Sequence, residues 1–190
     1  MENFSLFEGK LLLWLQDNVR TDFLNAPLCF ITRTKVTVAV WALFLLVLFL
    51  FKKTRKASLA GGCGAVLSFL ICNLILKNIF DRARPFVVIE QLQIIGKIPG
   101  DSSFPSGHTS FCFACATAVC FFVPKKLAVP GFCFAFLIAF TRLYVGAHFP
   151  SDVFFGMING ILCGIISFFI CRFVFNQAEK KEAVREFLGE

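Results

Sequence analysis

The sequence predicts an all-α polytopic membrane bundle, with about five transmembrane helices behind one N-terminal amphipathic helix lying in the membrane interface. Three observations predict it. The 190-residue chain is 57% hydrophobic, with 27 phenylalanines and only 16% charged residues, and its mean hydropathy is +0.77; a soluble domain of this length would have too few polar groups to cover its surface. Five apolar runs reach the roughly 17–25 residues that a helix needs to cross a ~30 Å hydrocarbon core. The formal charge of +7 gathers between those runs instead of spreading along the chain. That is a topology signal, and it argues against nucleic acid as a partner.

Residues 5–24 come first. Phe7, Leu11, Leu15, Val19 and Phe23 share one helical stripe, interrupted by Glu8, Gln16, Asp17, Arg20 and Asp22, and Ser5 with Glu8 has the spacing of a capping box. A signal peptide would begin with basic residues, whereas Glu2 and Glu8 are acids. The segment is therefore expected to be an interfacial amphipathic helix. Spans are expected at 35–51, 57–76, 105–123, 127–145 and 150–175. The first, KVTVAVWALFLLVLFLF, is almost purely lipid-facing in composition. The second, ASLAGGCGAVLSFLICNLIL, is rich in Gly, Ala and Ser, which let backbones approach closely, and belongs inside the bundle. Residues 35–175 form the expected transmembrane core of a single membrane-embedded domain, 1–190. The tail 176–190 alternates in charge and is expected to be a short solvated cytoplasmic helix without a site.

Orientation follows from the basic residues. Lys52, Lys53, Arg55 and Lys56 follow the first span, Lys125 and Lys126 the third, and Arg172, Lys180, Lys181 and Arg185 come at and after the end of the fifth. The positive-inside rule puts all three groups in the cytoplasm, so the chain runs N-out, C-in. The loops 77–104 and 142–150 then face outward, at the cell membrane's extracytoplasmic side. The nine cysteines are odd in number and lie in or beside apolar stretches, so no disulfide framework is expected; even the Cys112–Cys115 pair reads as packing.

The polar chemistry collects in those two outward loops. The first begins with Lys77, Arg84 and Pro85 and ends in Pro105-Ser106-Gly107-His108; the second carries Arg142, His148 and Asp152. Each residue alone has a packing explanation: snorkelling for the cations, a helix start for Pro105 to Gly107, and a first-turn acid for Asp152. Together, three cations, a helix N-terminus, both histidines and an acid on one membrane face point to a phosphate guest. Asp152, four residues after His148, can accept one ring proton and leave the other nitrogen as a nucleophile toward phosphorus. Nearby cations are expected to keep His148 unprotonated, and the phosphate to keep His108 a proton donor.

Lys77-x6-Arg84-Pro85, Pro105-Ser106-Gly107-His108 and Arg142-x5-His148-x3-Asp152 resemble the three signature motifs of the type 2 phosphatidic acid phosphatase superfamily. They span residues 77–152; Thr141 stands where the third motif usually has serine. The resemblance implies that Lys77, Arg84, Ser106, Gly107 and Arg142 bind phosphate. It also implies that His148 forms a phosphohistidine, that His108 is the general acid and that Asp152 orients His148. It further implies a lipid phosphate or diphosphate substrate and no cofactor or metal, and no third histidine or acidic cluster offers a metal-ligand set. Short bacterial members with this layout resemble undecaprenyl-diphosphate phosphatases, so undecaprenyl diphosphate is the expected substrate, with phosphatidylglycerophosphate and phosphatidate as alternatives.

Rival classes fit less well. A small-molecule transporter places ionisable groups near the bilayer midplane, whereas here the span interiors are almost free of charge. A vanadate-dependent oxidase shares the phosphate-type site but not the membrane-buried body, and a catalytically dead relative would lack a motif position. Oligomeric state is not encoded in any feature of the sequence.

Overall fold

The computed structural model describes residues 2–178 and the side chains of residues 7–177; no strand occurs among them. In chain order, α1 spans Glu2–Asn18, α2 Asp22–Ile31, α3 Thr34–Leu50, α4 Arg55–Phe69, α5 Lys77–Phe80, α6 Pro85–Val88, α7 Gly107–Cys120, α8 Lys125–Tyr144 and α9 Pro150–Ala178. A π-helical stretch, Leu70–Leu76, joins α4 to α5 without a break, and the loop between α6 and α7 is the long one. The tail beyond Ala178 lies outside the described residues.

The helix least suited to lipid sits at the centre. Thr109, Ser110 and every residue from Cys112 to Val119 of α7 are buried, so the helix has no outward face. Helices α4, α8 and α9 pack around it. Gly156, Gly160 and Gly164 make one stripe of α9 backbone against α7. A Cβ at Gly156 would lie 2.7 Å from Ser106 O, one at Gly160 2.4 Å from Ser110 O, and one at Gly164 2.6 Å from Thr117 Cβ. Hydroxyls finish the seam: Ser167 Oγ donates to Ala60 O at 2.7 Å, Asn159 Nδ2 donates to Ser110 Oγ at 2.7 Å, and Ser68 Oγ and Ser110 Oγ meet at 2.6 Å. Such contacts contribute about 0.6–2 kcal/mol each where no water competes. The second span, expected inside the bundle, turns only its small-residue face inward: Ala57, Ala60, Gly61, Gly64 and Ser68 are buried, while Leu59, Val66, Phe69 and Leu74 are exposed.

Helices stand at all five expected span positions, but they differ in reach. Among the described residues, Lys52–Val88, Lys125–Tyr144 and Pro150–Gln177 are long and apolar enough to cross a membrane, and α2 with α3, bent by 60°, makes a fourth. Helix α7 is the exception to the five-span expectation. Its 14 residues rise only about 21 Å. Pro124 opens α8 and disfavours helix at the residue before it, so 121–123 become turn instead of a last helical turn.

The N-terminal expectation needs a larger correction. One helix over 5–24 is two, separated at Val19–Thr21, with Thr21 Oγ1 accepting the Leu24 N–H at 3.4 Å to cap α2. Because α1 begins at Glu2, Ser5 lies inside it and not at its start. The expected stripe is also split. Phe7, Leu11 and Phe23 are exposed, while Leu12 and Leu15 pack on Leu92 and Phe149, and Glu8 is buried beside them. Each of those leucines contributes about 1.5–3 kcal/mol by burial. The α1 face that meets protein therefore carries an acid, and it docks on the loops that follow α6 and α8. Gln16 bonds Gln91 O and the Gln93 N–H, and Arg20 donates to Tyr144 O and Gln93 O.

Candidate active site

One end of the bundle collects the C-termini of α5 and α8 and the N-termini of α3, α7 and α9. Asp81, with a left-handed φ of 35°, ends α5 and turns the chain so that Arg82 and Arg84 follow it into the cluster. The two outward loops meet there. Arg84 NH1 donates to Ala147 O at 2.8 Å and approaches His148 Nε2 at 3.4 Å, and the Ser106 N–H donates to Asp152 O at 2.9 Å.

His148 is 2% exposed, and its tautomer is fixed by its partners. Nδ1 lies 2.8 Å from Ser103 O, which can only accept, so Nδ1 carries the proton. Nε2 then holds the lone pair and faces the Arg84 guanidinium, which can only donate. Burial first, and then the charges of Arg142 and Arg84, lower the imidazole to about 4 against the opposing pull of Asp152. Both effects favour the unprotonated imidazole. The hydrogen bond expected from Asp152 is not direct. Asp152 Oδ2 stands 3.6 Å from Nδ1 and instead accepts from Ser103 Oγ at 2.5 Å and the Phe149 N–H at 2.8 Å. Ser103, buried and absent from the sequence-level site, lies between them. Its only signal was its place three residues before Ser106.

The cations converge as expected, but not alone. Lys77 Nζ and Arg84 NH2 both bond the Asp101 carboxylate, Arg84 at 2.7 Å, and Arg84 Nε donates to Asp101 O at 2.8 Å. Burial would raise the Asp101 carboxyl, but the hydrogen bond and charge of Lys77, with Arg84, outweigh it and hold the group at about 2. Arg142 is buried; NH1 donates to Thr32 Oγ1 at 2.8 Å, and Nε has no protein partner. Thr141 Oγ1 sits 2.9 Å from the same Thr32 hydroxyl, so the threonine in the third motif joins this contact. The sequence-level balance set three cations against Asp152. The structure adds Arg82, Asp101 and Glu8, so four cations face three carboxylates and the positive surplus is smaller.

Helix α7 brings its N-terminus to the same place. The N–H groups of Gly107, His108 and Thr109 precede the first intrahelical bond, from the Ser110 N–H to Ser106 O. The Ser106 side chain stays inside, 3.0 Å from Thr109 Oγ1, and a Cβ at Gly107 would strike Asn73 Oδ1 at 2.8 Å. His108 Nε2 lies 3.2 Å from Thr34 Oγ1 at the start of α3. It is near enough to Arg142, His148, Lys77 and Asp101 for their charges to act on it. All eight residues expected in the site thus stand at one end of the bundle. No group of three His, Cys, Asp or Glu side chains that could hold a metal occurs among the described residues. The arrangement suits a tetrahedral anion beside an unprotonated imidazole.

Comparison with known proteins gives the same direction. The PAP2 superfamily profile matches residues 58–177. An undecaprenyl-diphosphatase of Sulfolobus acidocaldarius is 31% identical over 131 residues, 67% of this chain and 62% of that protein. The undecaprenyl-diphosphatase BcrC of Bacillus subtilis is 32% identical over 137 residues, 71% of this chain and 69% of that one. The crystal structure of Aquifex aeolicus LpxE superposes with a TM-score of 0.68 at 29% identity, covering 83% of this chain and 92% of that one.

Proposed function

The chain belongs to the PAP2 superfamily, and on that premise we propose that it is an integral-membrane lipid phosphatase acting through a phosphohistidine on undecaprenyl diphosphate at the extracytoplasmic face. One observation carries the reading. His148 Nε2 keeps its lone pair beside Arg84, within a cluster whose other cations, Lys77 and Arg142, suit phosphoryl oxygens. The names of the two curated relatives support a polyprenyl diphosphate as the substrate. The side of the membrane is supported by Lys52, Lys53, Lys125 and Lys126, which stand at the helix ends opposite the site. Catalysis without a metal is part of the same proposal.

In this mechanism Lys77, Arg84, Arg142 and the amides around Ser106 and Gly107 hold the phosphoryl oxygens. Nε2 of His148 forms an N–P bond as the bond from phosphorus to the lipid oxygen breaks. His108 gives its proton to that leaving oxygen, which departs as lipid monophosphate from a diphosphate or as alcohol from a monoester. The bound anion supplies the negative charge that keeps the proton on His108 until then. Water then attacks phosphorus and passes a proton to His108, the N–P electron pair returns to Nε2, and inorganic phosphate leaves. Asp152, acting on Nδ1 across 3.6 Å and through Ser103, stabilises the positive charge that His148 acquires.

Phosphate release by the purified full-length protein tests this, with undecaprenyl diphosphate, phosphatidylglycerophosphate and phosphatidate compared with and without a chelator. The expected result is fastest release from undecaprenyl diphosphate, undiminished by chelation. A preference for either phospholipid would replace the substrate, complete loss with the chelator would remove the metal-free mechanism, and no release from any would overturn the reading.

A further inference from the structure

Glu8 lies outside the three motifs and Arg82 occupies an unspecified position of the first, between Lys77 and Arg84, yet both are tied to Asp152. The Asp152 carboxylate is fully buried, and a buried charge without a partner is strongly unfavourable. Among the described residues its cation partner is Arg82, 2.6 Å from Oδ1, while the neutral His148 ring stands 3.6 Å from Oδ2. Arg82 is a rigid fork held at both prongs. NH1 reaches Asp152 and, at 2.7 Å, Ser151 Oγ; NH2 reaches Glu8 Oε2 at 2.9 Å; the guanidinium carbon lies 4.0 Å from the centre of the Phe149 ring. Glu8, itself buried, also accepts the Ser151 N–H at 2.6 Å in the first turn of α9.

A second connection runs through the backbone. The Ser103 N–H donates to Arg82 O at 2.9 Å, and Ser103 O accepts from His148 Nδ1 at 2.8 Å. Arg82 therefore fixes both groups that face Nδ1, the Ser103 carbonyl by its backbone and the Asp152 carboxylate by its side chain. We propose that Arg82, clamped by Glu8 of the N-terminal helix, is a positioning residue that sets Asp152 and Ser103 and through them the attacking tautomer of His148. This rests on the reading of His148 as nucleophile, and it makes α1 part of the catalytic apparatus.

The charges facing His148 are Arg84 and Arg142, with Asp152 and His108; those facing Asp152 are Arg82 and His148. Without the Arg82 charge, Asp152 becomes a buried carboxylate whose remaining partner is the imidazole. It then favours the protonated ring, in which Nε2 has no lone pair, and the nucleophile appears only at higher pH.

The experiment measures kcat, KM and the pH profile of the full-length protein in detergent on a short, water-soluble prenyl diphosphate. Arg82→Gln is expected to lower kcat about 10²-fold, the cost of a misplaced reacting group. KM should stay within about threefold, because the group acts on orientation and not on phosphate binding. The acid limb of the profile should move to higher pH, and Arg82→Lys should recover much of the rate. Glu8→Gln should lower kcat about tenfold with the same pattern. A wild-type kcat in Arg82→Gln would overturn the proposal. So would a parallel loss of kcat, KM and thermal midpoint that Arg82→Lys does not restore, which would mark a purely structural residue. If Arg82→Gln does not fold, Glu8→Gln decides: an unchanged kcat overturns the proposal and a fall sustains it. His148→Ala separates the two claims, since turnover in that variant defeats the nucleophile reading itself. An inactive His148→Ala beside fully active Arg82 and Glu8 variants defeats only this one.

Discussion

Removing the Asp101 carboxylate should tighten phosphate binding. Asp101 bonds both Lys77 and Arg84, two of the three cations assigned to the phosphoryl group. At about 2, its carboxyl stays ionised throughout any workable assay, so an incoming phosphate competes with it. Two charge-assisted contacts would be worth about 1.5–3 kcal/mol each if shielded from water. The Asp101 side chain is 54% exposed, which cuts them toward the surface range of about 0.2–1 kcal/mol each. The competition is then about 0.4–2 kcal/mol, a factor of about 2–30 at 1.4 kcal/mol per decade. Asp101→Asn keeps the size and the backbone carbonyl that accepts from Arg84 Nε. At pH 7 and fixed ionic strength, the inhibition constant of inorganic phosphate is expected to fall by that factor. An inhibition constant equal to or above that of the wild type would refute the reasoning, because the carboxylate would then be shaping the cations and not competing for them.

Other consequences are equally direct. Because burial and the cations hold His148 at about 4, the acid limb of kcat/KM for the free enzyme should have its midpoint near pH 4; a midpoint at 6.5 would mean an exposed imidazole. His108→Ala should lose more rate on alkyl phosphates, whose leaving oxygen needs a proton, than on activated aryl phosphates, and equal losses would remove the general-acid role. Gly160→Ala would put a Cβ 2.4 Å from Ser110 O, whereas at Gly62 nothing lies within 4 Å. The first should cost about 1–3 kcal/mol of stability and the second should be neutral or stabilising by up to about 1 kcal/mol, read as thermal midpoints in detergent; the reverse order would contradict the α7–α9 seam.

Hydropathy located the helices because lipid imposes one requirement on every span, and the motif spacings pointed to eight residues that the structure gathers at one end of the bundle. The misplaced parts depend on pairing. Glu8 reads as solvent-facing because an acid usually is, and only Arg82, 74 residues away, makes its burial tolerable and turns α1 onto its other face. Ser103 acts through its carbonyl as well as its hydroxyl, and a carbonyl leaves no trace in residue identity. Asp101 and Arg82 sit next to motif residues, but their roles depend on how the left-handed turn at Asp81 and the loop before α7 fold back. The stripe Gly156, Gly160 and Gly164 is legible in the fifth span as small residues four apart, whereas the second span shows its small residues by composition.

The most direct test is to trap the phosphorylated protein. Rapid alkaline quenching during turnover of a phosphate-labelled prenyl diphosphate, followed by peptide mass spectrometry, should find the phosphoryl group on the imidazole of His148, and no label in His148→Ala. Label on any other side chain, or turnover by His148→Ala, would contradict the central claim that this buried, neutral imidazole attacks phosphorus.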